Sequence, residues 1–240
     1  MKRVVIIGAS SGIGLEVAKL FLAQDCMLGV AARRQDRLEE IKKMAPDRVV
    51  TATIDVTGSD ADARLRSLID DLGGMDLFFY ASGIGKQNRE LDPDIELNTV
   101  NTNGMGFTRM IGEAYRFFAE RGEGHIAAIT SIAGTKGLGP APSYSATKAM
   151  QNTYLQALEQ QAHARGLKIR FTDIRPGFVD TDLLKGDYCY PMLLKPQAVA
   201  HHIVRAIENN RHVTVVDWRY AVLTALWRLL PRPLWRLMKL

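Results

Sequence analysis

The amino-acid sequence predicts an α/β protein with a doubly wound parallel sheet of about seven strands and helices on both faces. Two observations indicate this fold. Short apolar runs rich in β-branched residues recur along the chain, and segments with a helical spacing of apolar residues separate them. The strand-like runs lie at 3–7, 27–32, 48–54, 75–81, 125–130, 168–174 and 212–217. One helical pattern follows the first strand-like run directly. The others lie at about 35–44, 60–72, 95–120, 143–165 and 197–209.

The composition is that of a folded globular protein. Of the 240 residues, 47% are hydrophobic and 24% are charged, which excludes disorder, a collagen helix and a coiled coil. Cys26 and Cys189 are too few for a disulfide framework or a zinc cluster, and we expect no metal site. The first apolar run is too short for a signal peptide, and no apolar stretch is long enough for a membrane span. We therefore expect a cytoplasmic protein.

Basic residues are concentrated in a C-terminal tail, residues 218–240. The formal net charge is +5, and the tail holds five basic residues and no acidic ones, so the rest of the chain carries no net charge. A nucleic-acid groove on the body is therefore not expected. The tail also contains all three tryptophans, and Pro231 and Pro233 should divide it into a helix, a kink and a short second helix. We predict one domain over 1–217, with the tail 218–240 attached to it.

Three interpretations of the tail stay open at this stage. Tryptophan, leucine and arginine together are typical of a helix that lies on a membrane surface, which would bring lipid-like substrates within reach. The same composition suits a subunit interface or a lid over a binding site. The third interpretation is an unattached tail.

A glycine-rich loop follows the first strand-like run and precedes the first helical pattern. It has the spacing G-x-x-x-G-x-G and consists of Gly8, Ala9, Ser10, Ser11, Gly12, Ile13 and Gly14. Glycines let a backbone approach a pyrophosphate closely, and the following helix N-terminus offers free N–H groups and a positive dipole. The loop therefore predicts dinucleotide binding, and a tight turn with incidental glycines is the alternative.

Two arginines after the second strand-like run bear on which dinucleotide binds. An Asp or Glu at this position would accept hydrogen bonds from the ribose hydroxyls of NAD. The chain instead has Arg33 and Arg34, and a guanidinium fork pairs well with the 2′-phosphate of NADP. Two solvated arginines are the alternative, although basic residues at the start of a helix oppose its dipole. We therefore expect NADP(H) in preference to NAD(H).

Tyr144 and Lys148 stand four residues apart in a helical pattern, so they share one helix face. The ordinary pKa of tyrosine is near ~10, and a neighbouring ammonium lowers that pKa by favouring the phenolate. The pair therefore predicts a group that exchanges protons near neutral pH. Ser131 follows the strand-like run 125–130, so it should lie at the carboxyl end of a strand, where its hydroxyl could hold a substrate carbonyl. Chance spacing and a plain turn serine are the alternatives.

Together these motifs resemble the short-chain dehydrogenase/reductase superfamily, in its single-domain NAD(P)-dependent branch with a Rossmann-like fold. The matching pieces occur in the family's order over residues 3–217; they are the glycine loop, Asp55-Val56, Asn101, Ser131, Tyr144 with Lys148, Arg175-Pro176-Gly177 and Thr181. One departure is Tyr80-Ala81-Ser82-Gly83, where the family usually has Asn-Asn-Ala-Gly. The retained glycine still lets the backbone pass close to a cofactor, and Ser82 replaces part of the lost strand contacts.

The resemblance implies a catalytic role for four residues. Tyr144 would be the general acid/base, and Ser131 would orient the substrate oxygen. Lys148 would bind the nicotinamide ribose and lower the pKa of the tyrosine, and Asn101 would hold a water in a proton relay through Lys148. The implied reaction is hydride transfer between a nicotinamide and a carbonyl or alcohol carbon, and the NADP preference favours carbonyl reduction.

The resemblance also implies the remaining cofactor contacts. Asp55 and Val56 would border the adenine, and the backbone at Gly83 would pass beside the cofactor. The nicotinamide segment would comprise Pro176, Gly177, Val179 and Thr181. The family further implies a homo-oligomer that assembles through the helices near 95–120 and 143–165.

The stretch 182–195 carries apolar and aromatic residues that the resemblance places over the substrate. Its members Leu183, Leu184, Tyr188, Tyr190, Met192 and Leu193 predict an apolar pocket, and a short helix that caps the core is the alternative. We interpret Cys189 as a packing residue. Two other functions were weighed. A non-catalytic NADP(H)-binding regulator would be expected to lack part of the catalytic set, and a sugar-nucleotide epimerase needs a larger C-terminal domain than 240 residues allow.

Overall fold

A parallel sheet forms the centre of the protein. The computed structural model describes residues 1–184 and 190–238, and within them seven strands pair in the order β3-β2-β1-β4-β5-β6-β7. The strands are β1 (Arg3–Ile7), β2 (Met27–Ala32), β3 (Val49–Thr53), β4 (Leu77–Tyr80), β5 (Glu123–Ile129), β6 (Lys168–Arg175) and β7 (Val213–Val215). Each neighbouring pair is parallel. The predicted fold class is therefore confirmed.

Helices connect the strands and cover both faces of the sheet. They are α1 (Gly12–Ala23), α2 (Gln35–Met44), α3 (Ala61–Asp71), α4 (Pro93–Val100), α5 (Phe107–Arg121), α6 (Pro142–Ala164), α7 (Pro196–Glu208), α8 (Trp218–Leu229) and α9 (Arg232–Trp235). The segment at 95–120, predicted as one helix, is interrupted. A π turn over Asn101–Gly106 joins α4 to α5, and such turns change which side chains face a neighbouring element.

The core consists of two apolar layers, one on each face of the sheet. In one layer, Phe21 of α1 and Ile203 of α7 pack against the strands. In the other, Leu65 of α3 and Phe118 of α5 do so. Because strands covered on both faces need apolar side chains at every position, they read as continuous apolar runs instead of alternating ones.

The strand order reverses between β1 and β4, the two strands that lie side by side in the middle of the sheet. The backbone N–H of Ala81, just after β4, donates to the carbonyl of Ile7 at the end of β1 at 2.8 Å. Helices leave the two strands towards opposite faces at such a point and open a crevice at the carboxyl ends. The glycine loop begins in that crevice.

The first helix of the tail, α8, is anchored to the body by Tyr220, which is completely buried. Its hydroxyl accepts a hydrogen bond from the backbone N–H of Phe178 at 3.2 Å and lies 3.0 Å from the carbonyls of Pro191 and Met192. A Cβ added at Gly177 would lie 2.2 Å from the Tyr220 ring, so only glycine allows this packing. Residues at the start of the tail therefore belong to the folded body.

The rest of the tail folds back over the loop at 136–140. As the tail prolines predicted, a break after α8 is followed by the short α9, and Trp227 packs edge-on against Trp235 at 5.4 Å between ring centroids. The indole nitrogen of Trp235 donates to the carbonyl of Gly137 at 2.8 Å, and Lys136 donates to the carbonyl of Leu230 at 2.9 Å. These contacts contradict the interpretation as an unattached tail.

The stretch 182–195 is described only in part. Asp182–Leu184 form one 3₁₀ turn, and Leu183 and Leu193 are exposed. Tyr190 packs on Phe178 with 4.8 Å between ring centroids. Tyr188, predicted to line a pocket, and Cys189, predicted to pack, lie outside the described residues. In the described ranges no helix combines the length and the apolar character that crossing a membrane requires.

Candidate active site

The glycine loop at the end of β1 is shaped by close backbone contacts. Gly8 has a φ of +86°, and a Cβ added there would lie 2.7 Å from the backbone nitrogen of Ser82. A Cβ added at Gly14 would lie 2.2 Å from the carbonyl oxygen of Gly8. Neither position tolerates a side chain, because backbone atoms cannot move aside as the end of a side chain can. The loop is thus a cradle of bare backbone that opens at the N-terminus of α1.

Thr181 lies over the same loop. Gly12 has a φ of +55°, and a Cβ added there would lie 3.2 Å from the Thr181 methyl carbon. Val179, two residues earlier, is buried and pairs with Leu194 through an isolated bridge. The fold therefore brings the predicted segment after β6 against the predicted loop after β1, although more than 160 residues separate them in sequence.

A basic corner borders the loop on the side of β2. Arg34 donates to the hydroxyls of Ser10 at 3.0 Å and Ser11 at 2.6 Å, and it precedes the first residue of α2. Asp55 accepts hydrogen bonds from the backbone and hydroxyl of Thr57, which hold its pKa below the usual range, and the charge of Arg33 contributes in the same direction. Both arginines therefore lie near predicted cofactor residues. Of the two, Arg34 is the one that contacts the glycine loop.

Ser131 and Tyr144 meet at the carboxyl edge of the sheet. Ser131 follows β5 and caps the turn Ile132–Thr135 by accepting from the N–H of Ala133 at 3.1 Å. Tyr144 lies in the first turn of α6. Burial raises the pKa of Tyr144, and a hydrogen bond with Ser131 opposes that rise. The structure thus brings together the two hydroxyls that the sequence predicted at one site.

Lys148 is buried one turn further along α6. Its Nζ lies 5.7 Å from the centroid of the Tyr144 ring and donates to the carbonyl of Ile129 at 3.3 Å. Burial lowers the pKa of Lys148 to about 8, and Asp173 on β6 opposes the change. The sequence predicted a lowered pKa for Tyr144, but burial of the phenol is the largest influence and raises that pKa.

The asparagine that lies beside Lys148 is Asn103, and not the predicted Asn101. Asn101 is partly exposed where α4 runs into the π turn. Asn103 is completely buried, accepts from the N–H of Ile84 at 2.9 Å and donates to its carbonyl at 2.7 Å. The wider π turn directs the residue two positions later towards α6. The placement of Asn101 as a site residue therefore needs correction.

The segment 82–85 links the glycine loop to Tyr144. Ser82 touches Gly8, as described above. A Cβ added at Gly83 would lie 3.3 Å from Asn103 Oδ1 and 3.7 Å from Lys148 Nζ. Gly85, which the sequence did not single out, has the Tyr144 ring 2.8 Å from the position of its missing Cβ. The repeated glycine in Gly83-Ile84-Gly85 was the available signal, since such spacing marks close backbone approach.

A family model for short chain dehydrogenases matches residues 2–188. The chain belongs to the short-chain dehydrogenase family. It is an oxidoreductase of that family, and the resemblance stated from the sequence is confirmed. An uncharacterised oxidoreductase of Mycobacterium tuberculosis is 31% identical over 242 residues, covering 96% of this chain and 95% of that protein.

Among the solved structures that are similar to this short-chain dehydrogenase, two were determined with a bound cofactor. ElxO with NADP bound has a TM-score of 0.81 at 23% identity and covers 92% of this chain and 99% of its own, which shows the shared fold. The closed form of serine dehydrogenase complexed with NADP⁺ has a TM-score of 0.76 at 26% identity, covering 85% of this chain and 88% of that one.

Glu96 of α4 fixes the start of α6 in this short-chain dehydrogenase, and no local sequence pattern indicated this contact. Its carboxylate accepts from the N–H of Ser143 at 3.1 Å and from the Ser143 hydroxyl at 3.0 Å. A carboxylate at a helix N-terminus is stabilised by the helix dipole. Since Tyr144 is the next residue, this contact orients the tyrosine. In the described part of the chain, no group of three or more His, Cys, Asp or Glu side chains is placed to hold a metal.

The two asparagines can be distinguished by stability. Asn103→Leu removes both hydrogen bonds to the backbone of Ile84, and we expect the free energy of unfolding to fall by about 1–3 kcal/mol, because the backbone groups lose their partners. Asn101→Leu, at the partly exposed position, should cost less than about 1 kcal/mol. Urea unfolding followed by tryptophan fluorescence measures both. Equal losses would contradict the assignment of Asn103 to the site.

Proposed function

We propose that the protein is an NADP-dependent oxidoreductase that transfers a hydride between the nicotinamide and a carbonyl or alcohol substrate, with Tyr144 as general acid/base. The observation that carries this proposal is the continuity of the crevice. Segment 82–85 touches Gly8 at one end and Tyr144 at the other, so a ligand on the glycine cradle would extend towards the hydroxyls of Ser131 and Tyr144.

The residues present fit a nicotinamide dinucleotide. The bare-backbone cradle and the N-terminus of α1 suit a pyrophosphate. Arg34 on Ser10 and Ser11, with Arg33 nearby, suits a 2′-phosphate and supports NADP(H) over NAD(H). The likeness to a serine dehydrogenase structure with NADP⁺ supports the same cofactor. When bound, the cofactor supplies the hydride.

The remaining contacts are assigned by position. Asp55 and Val56 would border the adenine, with Gly83 beside the cofactor. Pro176, Val179 and Thr181 would hold the nicotinamide end, and Gly177 contributes by making room for Tyr220.

The chain's own residues perform the proton chemistry. Ser131 holds the substrate oxygen, and Tyr144 exchanges a proton with it. Because burial raises the pKa of Tyr144, the phenol carries its proton at neutral pH, and this favours its action as an acid that protonates a carbonyl during reduction. Lys148 supplies a positive charge beside the ring. Asn103, in place of the predicted Asn101, is the asparagine of this site, and it holds the backbone of Ile84 beside Lys148.

Removal of the proposed acid tests the mechanism. With NADPH and a panel of aliphatic ketones and aldehydes of increasing chain length, Tyr144→Phe should lose turnover by a factor of about 10² or more, the usual contribution of general acid–base catalysis. NADPH binding, followed by its fluorescence, should stay within about twofold, since the phenol oxygen contributes only one contact of many. Tyr154→Phe on the same helix is the control. Retained turnover in Tyr144→Phe would contradict the role, and NADPH binding without turnover of any carbonyl would favour the non-catalytic regulator.

The arginines should determine cofactor preference. Arg34→Ala and Arg33→Ala are each expected to weaken NADPH binding by roughly 10-fold or more, the loss that removal of a hydrogen bond to a charged group produces, while NADH binding changes little. Arg37→Ala, which removes an exposed arginine paired with Glu40 on α2, should alter neither. Titration of both cofactors by fluorescence measures this, and an equal loss for NADPH and NADH would refute the phosphate contact.

The tail borders a cavity of about 600 Å³ next to the catalytic helix. The cavity is lined by Arg89, Gly137, Gly139, Pro140, Trp235, Arg236 and Met238. The loop at 136–140 precedes α6, whose first turn carries Tyr144. We infer that the tail forms one wall of the substrate entrance and that its tryptophan and methionine favour apolar, lipid-like carbonyl compounds.

The outer face of α8 is an apolar stripe, formed by Trp218, Val222, Leu226 and Leu229, which are 51–80% exposed. The tail carries arginines around this stripe and no acidic residue. A second copy that used the same face would place arginines against arginines, whereas an anionic lipid surface complements them. We therefore propose peripheral contact with the inner, cytoplasmic surface of a membrane.

The homo-oligomer implied by the family would use a different surface. Leu97, Val100, Met105 and Met150 are exposed apolar side chains on α4, the π turn and α6. Exposed apolar groups that cluster on neighbouring elements mark interaction surfaces. We propose that this face joins two copies of the chain.

Charged substitutions in the stripe test the membrane contact. The unmodified protein should float with vesicles of phosphatidylcholine and phosphatidylglycerol, and less so at high salt. Leu226→Asp combined with Leu229→Asp should reduce flotation about tenfold or more, since both the apolar contact and the charge match are lost. Met44→Asp, at an exposed apolar residue of α2, is the control. If the double variant floats as well as the unmodified protein, the proposal is wrong. If the double variant instead loses a dimer that the unmodified protein shows in sedimentation, the stripe is an interface with a second copy.

A further inference from the structure

Gln151 is completely buried in α6, three residues after Lys148. Its side-chain oxygen accepts a hydrogen bond from Lys148 Nζ at 3.0 Å, and its side-chain nitrogen donates to the backbone oxygen of Asn103 at 2.8 Å. Both ends of the amide are therefore engaged. These two hydrogen bonds connect the lysine ammonium, through one side chain, to the backbone of the π turn.

The surroundings of Lys148 show why this contact matters. The ammonium also donates to the carbonyl of Ile129 at 3.3 Å, and Tyr144 from its own helix and Asp173 from β6 face it. Asp173 is shared with Arg175, whose guanidinium lies 2.6 Å from it. A buried ammonium needs acceptors to keep its proton. Gln151 provides the shorter of the two hydrogen bonds described here.

We propose that Gln151 is a positioning residue that holds the Lys148 ammonium beside Tyr144, in the place that a relay water would need between Lys148 and the asparagine of the π turn. The inference rests on the proposed function, since the ammonium acts in catalysis only if Tyr144 exchanges protons. It assigns to Gln151 a task that neither the glycine loop nor the Tyr-x-x-x-Lys spacing indicates.

The chemistry of an amide differs from that of a water at this place. A water donates and accepts at one oxygen, so it can pass a proton along a chain. A glutamine accepts through its oxygen and donates through its nitrogen, and transfer between the two atoms would require an imidic acid form. Gln151 therefore fixes the ammonium without conducting protons. Lys148 keeps its proton while Tyr144 exchanges one with the substrate.

The pKa of Lys148 tests the proposal without any substrate or cofactor. It can be followed by NMR through the Cε resonance in protein labelled with ¹³C-lysine, with the signal assigned by its loss in Lys148→Met. Gln151→Leu keeps the bulk but removes the acceptor, and should lower the pKa by about one pH unit, as loss of a hydrogen bond to a charged group does. Gln151→Glu should raise the pKa, because a carboxylate then faces the ammonium. Gln156→Leu, exposed on the same helix, should leave it unchanged.

A packing role alone predicts a different result. If Gln151→Leu leaves the pKa of Lys148 as in the unmodified protein, or if Gln151→Glu does not raise it, the proposal is wrong. Should the leucine variant not fold, Gln151→Ser continues the test. It leaves room for a water as acceptor, so a pKa close to the unmodified value and a water bridging Lys148 and Asn103 in its crystal structure are expected; absence of that water overturns the inference. Tyr144→Phe tests turnover separately, so the two failures are distinguishable.

Discussion

The buried ammonium of Lys148 organises the candidate site. Almost completely removed from water, it makes hydrogen bonds to the end of β5 through Ile129 and to the π turn through Gln151, and it lies over the ring of Tyr144. A charge in such a place is tolerated only where acceptors surround it. Those acceptors come from separate elements, so keeping the charge satisfied also fixes β5, α6 and the π turn relative to one another. Ser131 at the end of β5 and Tyr144 on α6 are positioned by the same elements.

Close backbone approach is the second constraint, and it explains what the sequence could reveal. Glycines are needed at Gly8 and Gly14, where a Cβ would lie within 3 Å of backbone atoms. This requirement is visible in the local sequence as a spacing of glycines, and the glycine loop was therefore predictable. The strands were predictable for a related reason. Burial on both faces leaves continuous apolar runs, and the helices between them keep a regular spacing.

The remaining features depend on contacts that no local pattern records. Asn101 and Asn103 stand in one apparently helical segment, and only the π turn decides which of them faces Lys148. The Tyr-x-x-x-Lys spacing placed Lys148 near the Tyr144 ring. It could not show the burial of the phenol, which raises the pKa of Tyr144 instead of lowering it. The roles of Tyr220 and Gln151 depend on Gly177 and on the backbone of Asn103, both more than 40 residues away in sequence.

The tail joins the site to the surface. Tyr220 and Thr224 are buried on the inner face of α8, and this fixes the rotation of the helix about its own axis. The apolar stripe therefore cannot turn inwards, and its exposure is a property of the folded body. Exposing such a stripe to water costs free energy of hydration, and contact with an apolar partner removes that cost. Hydrogen bonds of Trp235 to Gly137 and of Lys136 to Leu230 attach α9 and the end of α8 to the loop at 136–140, which precedes α6 and its Tyr144. Under the proposed function, an apolar phase on the stripe would bring apolar carbonyl compounds towards Ser131 and Tyr144, and this links the outer surface of α8 to the proposed substrate class.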